Sequence, residues 1–425
     1  MRLSCSHRGA GLTLIVAGAI VAAQLAGTAQ RTVPFDEGLP IAPAGFEPQP
    51  IPAGPIEYDT AEVMRIRVVP VARGLVHPWS LAFLPDGRML VSEKDGRLRI
   101  IRNDVLDPKP IAGVPAVRVQ GRSGLMDVVL HPQFSTNRFV YFSYLKPVGA
   151  ERQATLTVAR GSFDGSSISG VEDIFSAGPG VSGPSRLAWG RDGKLYVTTP
   201  SSGNGSSSQD PNTYSGKVLR LNDDGTVPVD NPFVGRTGHK PEVYTLGHRN
   251  SLGLAAHPTT GEMWQNEMGP NGGDEINILK PGANYGWPIV SLGRSYPGPW
   301  QSPTFSKDGF ESPLVYWMPS ISLSGMAFYT GERLPRWKGD IFVGGQRTGE
   351  IPGTGRLERI LINEKLEELR RESLLVPLGM RIRDVRQGPD QLLYVLVDHE
   401  HGGILRIEPS ATRQIPTTYS ARPPR

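Results

Sequence analysis

Side chains that could do chemistry are densest between residues 243 and 290. Three polar, glycine-rich clusters lie there, at 247–250 (GHRN), 266–275 (NEMGPNGGDE) and 284–288 (NYGWP). Such residue types can bind polar ligands, and the carboxylates can also bind cations. Short apolar runs separate the clusters, which predicts loops at strand ends, where sites usually lie. The alternative is a turn-rich surface connection without a chemical role.

Short strands joined by tight turns must position these clusters. The 425 residues include 51 Gly and 39 Pro, which argues against a helical bundle. A pattern of strand, Asp-Gly-type turn and second strand recurs six times, most clearly at 81–91 (LAFLPDGRMLV), 187–197 (LAWGRDGKLYV) and 385–395 (VRQGPDQLLYV). Recurrence at about 40–70 residues is typical of blade repeats. We therefore predict an all-β fold, a six-bladed β-propeller, with a pair of β-sandwiches as the alternative.

The chain divides into four predicted segments. Residues 1–29 have the charge and apolar pattern of a signal peptide, with an uncleaved membrane anchor as the alternative. Residues 30–60 are predicted as a proline-rich linker or wrapping arm, 61–408 as the propeller and 409–425 as a flexible C-terminal tail. Export to the periplasm or the medium follows, with no membrane span after signal cleavage. Within the propeller, residues 364–372 (EKLEELRRE) predict a short helix or a charged hairpin tip.

Composition excludes several classes of function. The formal net charge is +4, and no basic run is dense enough to predict nucleic-acid binding. The single cysteine, Cys5, lies in the predicted signal peptide. Its removal would leave no thiol for a disulfide, a zinc site or a redox centre.

Further ordered motifs carry a resemblance to a known family. They are 74–79 (GLVHPW), 124–128 (GLMDV), 216–221 (GKVLRL), 230–233 (DNPF), 324–327 (SGMA) and 381–385 (RIRDV). Together with the three clusters, they resemble the soluble quinoprotein sugar dehydrogenases, also called the aldose or glucose/sorbosone dehydrogenase family. The resemblance implies an exported six-bladed propeller that holds pyrroloquinoline quinone (PQQ) and calcium. It also implies oxidation of an aldose or related alcohol, with electrons passed to an external acceptor.

The resemblance assigns the cofactor-binding residues. PQQ carries three carboxylates, which arginine can bind bidentately. Arg381 and Arg383 match the family's pair of cofactor-binding arginines, and their spacing along a strand places both on one face. Arg249 and Asn250 match the pair beside the cofactor, and Arg249 is also the candidate for a catalytic contact. Arg347 stands where many relatives have lysine. These arginines are expected to converge at one end of the propeller channel.

The resemblance also assigns two calcium sites. The backbone carbonyls of Gly269 and Pro270 match donors to the calcium linked to the cofactor. Glu275 and the carbonyl of Tyr285 resemble the ligands of a second, structural calcium. Oxygen donors of this kind suit calcium rather than zinc. The alternative is that Asp274 and Glu275 are solvated loop acids.

Four departures from the family pattern fall at the predicted site. Ser182 occupies the position of the catalytic-base histidine, and a serine hydroxyl is a poor base at neutral pH. Arg122 replaces a glutamine, Thr199 falls where a Gly-Asp pair is usual, and Met268 replaces a glutamine or histidine. Two functions follow as alternatives: a dehydrogenase that tolerates Ser182, and a catalytically degenerate propeller that acts as a binding or structural module. Lactone hydrolysis ranks last, because no converging set of carboxylates is visible.

Overall fold

The structure is a closed ring of antiparallel sheets. The computed structural model describes residues 35–36, 39–40, 45–62, 64–149, 153–296 and 300–410. Six sheets of four or five strands follow one another along the chain. This confirms the predicted all-β, six-bladed β-propeller. The predicted signal peptide and residues 411–425 of the predicted tail lie outside the described residues.

Blades 1 to 5 each contain four consecutive strands, ordered from the channel outward. The strands are Pro78–Phe83, Met89–Glu93, Leu98–Arg102 and Val105–Leu106 in blade 1; Leu125–Leu130, Phe139–Pro147, Ala154–Phe163 and Ile168–Ser176 in blade 2; Leu187–Trp189, Leu195–Thr198, Lys217–Leu221 and Val243–Leu246 in blade 3; Asn250–Ala256, Met263–Met268, Asp274–Ile278 and Val315–Trp317 in blade 4; Leu323–Phe328, Ile341–Gly345, Arg356–Ile362 and Glu368–Leu374 in blade 5. The run 243–290 thus supplies the outer strand of blade 3 and three strands of blade 4.

Blade 6 closes the ring by joining both ends of the folded chain. Its strands, in spatial order, are Ile382–Gln387, Leu393–Val397, Gly402–Pro409, Arg65–Leu75 and Ile56–Asp59. Because the last of these pairs with Arg65–Leu75, the sheet begins before residue 61, inside the segment predicted as linker. Closure of this kind leaves only short, protected sheet edges.

Elements outside the blades are short. Phe35–Asp36 pairs with Leu39–Pro40. One α-helical turn is present at Phe134–Asn137, and the described residues also contain 3₁₀ turns at Ser206–Gln209, Pro335–Trp337 and Val376–Leu378. Residues 364–372 form a turn and most of the strand Glu368–Leu374, so the hairpin alternative was correct and the helix was wrong. No helix of the described part of the chain is long and apolar enough to cross a membrane.

The repeated turn explains why the repeats fold alike. Gly87 and Gly193 have φ angles of 85° and 71°, a region that glycine enters without strain. In each turn the preceding aspartate accepts a hydrogen bond from the backbone N–H two residues later, at 3.2 Å for Asp86 and 3.1 Å for Asp192. Because these bonds are local, each hairpin is specified by its own residues.

A buried charge network joins the innermost strands. Arg186 precedes the first strand of blade 3 and is 2% exposed. Its Nη1 lies 3.3 Å from Asp127 Oδ1 in blade 2, and its Nη2 lies 3.2 Å from Asp384 Oδ1 in blade 6. The guanidinium also stacks 4.4 Å from the ring centroid of Trp79 in blade 1. Arg386 binds both aspartates, at 3.1 Å and 2.9 Å. We call these four charged residues the central network.

Removal of one member of the central network should destabilise the whole ring. Asp127→Ala leaves buried Arg186 and half-buried Arg386 with half their counter-charge, so we expect the unfolding free energy to fall by about 3–5 kcal/mol. Guanidinium unfolding measures the change. The control is Lys338→Ala, which breaks an exposed pair with Glu332 and should cost less than about 1 kcal/mol. Equal losses in the two variants would contradict the role of the network.

Candidate functional site

The predicted site residues lie at one end of the propeller. Every blade repeats the same strand order, so all innermost strands begin at the same end of the ring. His77, Arg249 and Arg381 each immediately precede or open an innermost strand. The connections between second and third strands, including 269–273 and 398–401, return to this end. Residues from every part of the sequence can therefore meet there.

Arg381 and Arg383 open onto a cationic cavity, as their spacing along the strand predicts. The guanidinium of Arg381 lies 3.3 Å from Asp398 Oδ2, and Arg383 Nη2 donates to the same oxygen. The cavity has a volume of about 240 Å³ and is lined by His77, Trp79, Lys94, Arg122, Arg381, Arg383, Asp398 and His399. Arg122, which departs from the family pattern, adds a third guanidinium to it.

The charges in this cavity are unbalanced. Asp398 is the single carboxylate among the described lining residues. Burial alone would raise its pKa, but the charge of Arg383, the hydrogen bond from His77 and the charge of Arg381 hold that pKa well below its usual range. Burial and the charge of Arg383 lower the pKa of Arg381 to about 10. The cavity therefore favours an anionic ligand.

Arg347, predicted to bind the cofactor, does not line this cavity but lies near it. Its Nη2 forms an ion pair with Glu350. Burial of Arg122 lowers the pKa of that side chain, and the charge of Arg347 lowers it further. Among the described residues, the buried nitrogens Arg347 Nε, Arg383 Nε and Gln346 Nε2 have no hydrogen-bond partner. Unpaired buried donors cost free energy, and of these three residues Arg383 alone lines the cavity.

Arg249 does not line the cationic cavity that contains Arg381 and Arg383. Its Nη1 donates to the carbonyl oxygens of Met268 at 3.1 Å and Gly269 at 2.7 Å, and its guanidinium lies 5.2 Å from the centroid of Trp287. Arg249 lines a narrow depression of about 20 Å³ together with Gly269, Glu275 and Tyr285. The structure thus brings Arg381 and Arg383 together and places Arg249 in a second cluster at the same end. Asn250, half-buried, opens the adjacent strand opposite Met268.

The predicted cofactor-linked calcium site does not fit this arrangement. The Gly269 carbonyl accepts a hydrogen bond from the Arg249 guanidinium, whose positive charge would oppose a cation at the same oxygen. Gly269 itself is closely packed, because a Cβ there would lie 2.2 Å from the carbonyl oxygen of Gly272. The Pro270 carbonyl would have to bind calcium beside that guanidinium.

The predicted structural calcium site fits better, with one residue that the sequence analysis missed. Glu267 lies directly opposite Glu275 on the neighbouring strand, and both line the depression with Tyr285. The amide of Asn277 donates to both carboxylates, at 3.3 Å and 3.4 Å. Burial and the charge of Glu267 raise the pKa of Glu275 to about 8. Glu267 also accepts a hydrogen bond from the Arg249 backbone N–H and lies 3.1 Å from His248 Nδ1, so Glu275 is the carboxylate with fewer partners. Two adjacent carboxylates suit a hard cation. The hairpin of cluster 266–275 could have revealed the pair.

Asp274 is a structural carboxylate. It is fully buried, and burial raises its pKa to about 6. Its oxygens accept hydrogen bonds from the backbone N–H groups of Gly269 at 3.0 Å, Ile321 at 2.9 Å and Leu323 at 3.2 Å. Asp274 thereby joins blade 4 to blade 5. The interpretation of Asp274 as a solvated loop acid was wrong.

Two further departures from the family pattern, Ser182 and Thr199, lie in blade 3 or in the segment that leads into it. Ser182 is exposed in the segment that leads into blade 3. Thr199 is buried, and its hydroxyl donates to the Lys217 carbonyl at 3.1 Å. The serine-rich loop after it reaches cluster 284–288, because Trp287 Nε1 donates to Ser201 Oγ at 3.1 Å. Thr199 and its loop therefore have structural contacts of their own.

His77 is a second residue that sequence reasoning missed. Its Nδ1 lies 3.1 Å from Asp398 Oδ1, inside the cationic cavity. A larger cavity of about 490 Å³ lies beside it, walled partly by residues 47–51 of the predicted linker. The two cavities share Arg381, Asp398 and His399. The motif 74–79 contained His77, but only ring closure places it against Asp398.

The structure is a six-bladed β-propeller with a cationic cavity at one end of the ring. A family model described as Glucose / Sorbosone dehydrogenase matches residues 75–406. This chain therefore belongs to the glucose/sorbosone dehydrogenase family.

Individual relatives agree with this assignment. Aldose sugar dehydrogenase YliI of Escherichia coli is 37% identical over 345 residues, which are 79% of this chain and 91% of that protein. A crystal structure of a glucose dehydrogenase is 40% identical, with a TM-score of 0.74, and covers 80% of this chain and 98% of its own. The PQQ-bound aldose sugar dehydrogenase from Streptomyces coelicolor is 27% identical, with a TM-score of 0.66, and covers 85% and 100%. The chain is thus similar to sugar dehydrogenases over most of its length.

Calcium should stabilise the protein through the Glu267–Glu275 pair. At a calcium concentration about a hundredfold above Kd, we expect a gain of about 2.7 kcal/mol, seen as a rise in Tm by calorimetry. Glu275→Gln should abolish the rise, because it removes one of the two carboxylates. Glu172→Gln, which removes an exposed carboxylate of blade 2, should leave the rise intact. A calcium response that survives in Glu275→Gln would contradict this site.

Proposed function

We propose that the chain is an exported quinoprotein-type dehydrogenase that oxidises an aldose or a related alcohol with PQQ. The observation that carries the proposal is the cationic cavity, where Arg122, Arg381 and Arg383 share one carboxylate and Arg383 Nε has no partner among the described residues. A ligand with several carboxylates matches this excess of positive charge. The similarity to a PQQ-bound sugar dehydrogenase supports the same conclusion.

The residues of the cationic cavity have different roles in binding PQQ. When bound, PQQ supplies an ortho-quinone that accepts two electrons from the substrate. Arg381 and Arg383 bind its carboxylates, and Arg122 adds a third cation at the rim. Trp79 forms an apolar wall that Arg186 holds from behind by stacking. Asp398 fixes both arginines before the ligand arrives, which lowers the entropy cost of binding.

The substrate and calcium bind at sites other than the cationic cavity. The cavity of about 490 Å³ offers room for a sugar-sized molecule next to the cationic cavity. Calcium binds at Glu267 and Glu275 and stabilises blade 4. No step of the reaction is assigned to it, because Arg249 opposes a cation at Gly269. An external acceptor takes the electrons, and the predicted signal peptide directs the protein to the periplasm or the medium.

A second candidate function is a degenerate propeller that binds the cofactor or another anion without turnover. The exposed Ser182 favours it, because no imidazole stands at that position. Reconstitution with PQQ and calcium, followed by dye reduction with a panel of aldoses, separates the two functions. Turnover supports the dehydrogenase. Tight PQQ binding without turnover supports the binding module.

Loss of one cavity arginine should weaken PQQ binding in either case. Arg383→Ala removes a charge-assisted hydrogen bond of about 1.5–3 kcal/mol, so we expect Kd to rise about 10- to 100-fold. Quenching of tryptophan fluorescence measures the affinity, because Trp79 lines the cavity. Arg370→Ala on the outer strand of blade 5 is the matched control and should bind PQQ normally. Unchanged affinity in Arg383→Ala would place the cofactor elsewhere.

A further inference from the structure

His77 and Asp398 form a hydrogen-bonded pair inside the cationic cavity. His77 Nδ1 lies 3.1 Å from Asp398 Oδ1, and the neighbouring arginines keep Asp398 ionised. An ionised carboxylate only accepts hydrogen bonds, so Nδ1 carries the imidazole proton. The Nε2 atom of neutral His77 is then left with its lone pair, which is the state that a general base requires.

The backbone holds His77 in one position. Its φ angle is 45°, in a region that non-glycine residues rarely enter. Its N–H donates to the His399 carbonyl at 2.8 Å, and its carbonyl accepts from the Lys94 N–H at 3.1 Å. These bonds attach the start of blade 1 to blade 6 and to the next loop. Strained positions held by several contacts are common at active sites.

Other histidines at this end are less suited to accept a proton. His248 is fully buried, and its two ring nitrogens lie 2.8 Å from Thr245 Oγ1 and 3.1 Å from Glu267 Oε1. His399 lines the cavity, but its Nδ1 accepts the backbone N–H of His401 at 3.0 Å. A neutral imidazole that accepts at Nδ1 carries its proton on Nε2 and cannot accept there. The His77 side chain is 42% exposed and can therefore reach a substrate.

We propose, on the basis of the dehydrogenase function above, that His77 is the general base of the reaction and that Asp398 positions it. Nε2 of His77 takes the proton of the substrate hydroxyl. The hydrogen on the same carbon leaves with its bonding electron pair to the quinone, which is the oxidant. The carbon–oxygen bond becomes a carbonyl, giving a lactone from an aldose or an aldehyde or ketone from an alcohol. His77 thereby supplies the function that Ser182 cannot.

The test compares His77→Gln with His239→Gln, a histidine on the connection between the third and fourth strands of blade 3 that lines neither cavity. We expect kcat of His77→Gln to fall by about a hundredfold or more, as for loss of a general base. Its affinity for PQQ should stay within about threefold of the wild type, because the three arginines remain. His239→Gln should retain normal turnover. Wild-type turnover in His77→Gln would overturn the assignment.

The pH profile distinguishes a base from a structural residue. The groups that face His77 are Lys94, Arg122, Arg381, Arg383, Asp398 and His399. Wild-type kcat/KM should fall on the acid side as His77 becomes protonated, and His77→Gln should lose this limb. Asp398→Asn should move the limb to lower pH, because a nearby anion favours the charged imidazole. An unchanged acid limb in His77→Gln would also overturn the proposal.

Chemical modification gives a readout that needs no turnover. Diethyl pyrocarbonate labels accessible imidazoles, and mass spectrometry locates the label. PQQ alone should protect His77 and leave His239 reactive, whereas equal labelling of His77 with and without PQQ would overturn its placement. Absence of wild-type turnover with any sugar overturns the dehydrogenase function itself. That result differs from intact turnover in His77→Gln, which overturns only the role of His77.

Discussion

The ring depends on the charge of Arg186. A guanidinium that is 2% exposed cannot stay in the protein interior without partners, because removing a charge from water costs several kcal/mol. Its partners come from four other blades: Trp79, Asp127, the Leu252 carbonyl and Asp384. All of them are satisfied only when the innermost strands meet in one register. The central network therefore selects this closure among the ways in which similar hairpins could pack.

The central network fixes the geometry of the cationic cavity. Arg186 Nη2 donates to the Arg383 carbonyl at 3.0 Å, so the strand that carries the cavity arginines is fixed at the centre of the ring. The same closure joins blade 6 to blade 1 and brings Asp398 to His77, which is 321 residues away in sequence. Stability and chemistry thus share one set of contacts: the side chain of Asp384 supports the ring, while Arg383, one residue before it, opens onto the cavity.

The sequence predicted features that depend on local spacing. The Asp-Gly turns at Asp86 and Asp192 specify the hairpins, and the alternation of Arg381 and Arg383 places both on one cavity. The strand Ile56–Asp59 and the pair Glu267–Glu275 lie in hairpins that were missed although their segments are close in sequence. The His77–Asp398 contact was missed because it joins segments 321 residues apart. Such contacts arise from register and ring closure, which a linear pattern does not encode.

Arg122, the third arginine of the cationic cavity, is informative about whether this cavity still binds a ligand. Burial and the charges of Arg347 and Arg383 lower the pKa of Arg122. Its side chain is exposed at the cavity rim, so solvent screens much of this repulsion. Asp398 offsets only part of this repulsion. A propeller kept only for its shape has no need for such a cluster, since glutamine at position 122 would avoid the cost. A polyanion in the cavity converts the same repulsion into binding free energy. Arg122 therefore indicates that the cavity still binds an anionic ligand. Catalysis then requires a base in place of Ser182, and His77 is the residue that we propose for it.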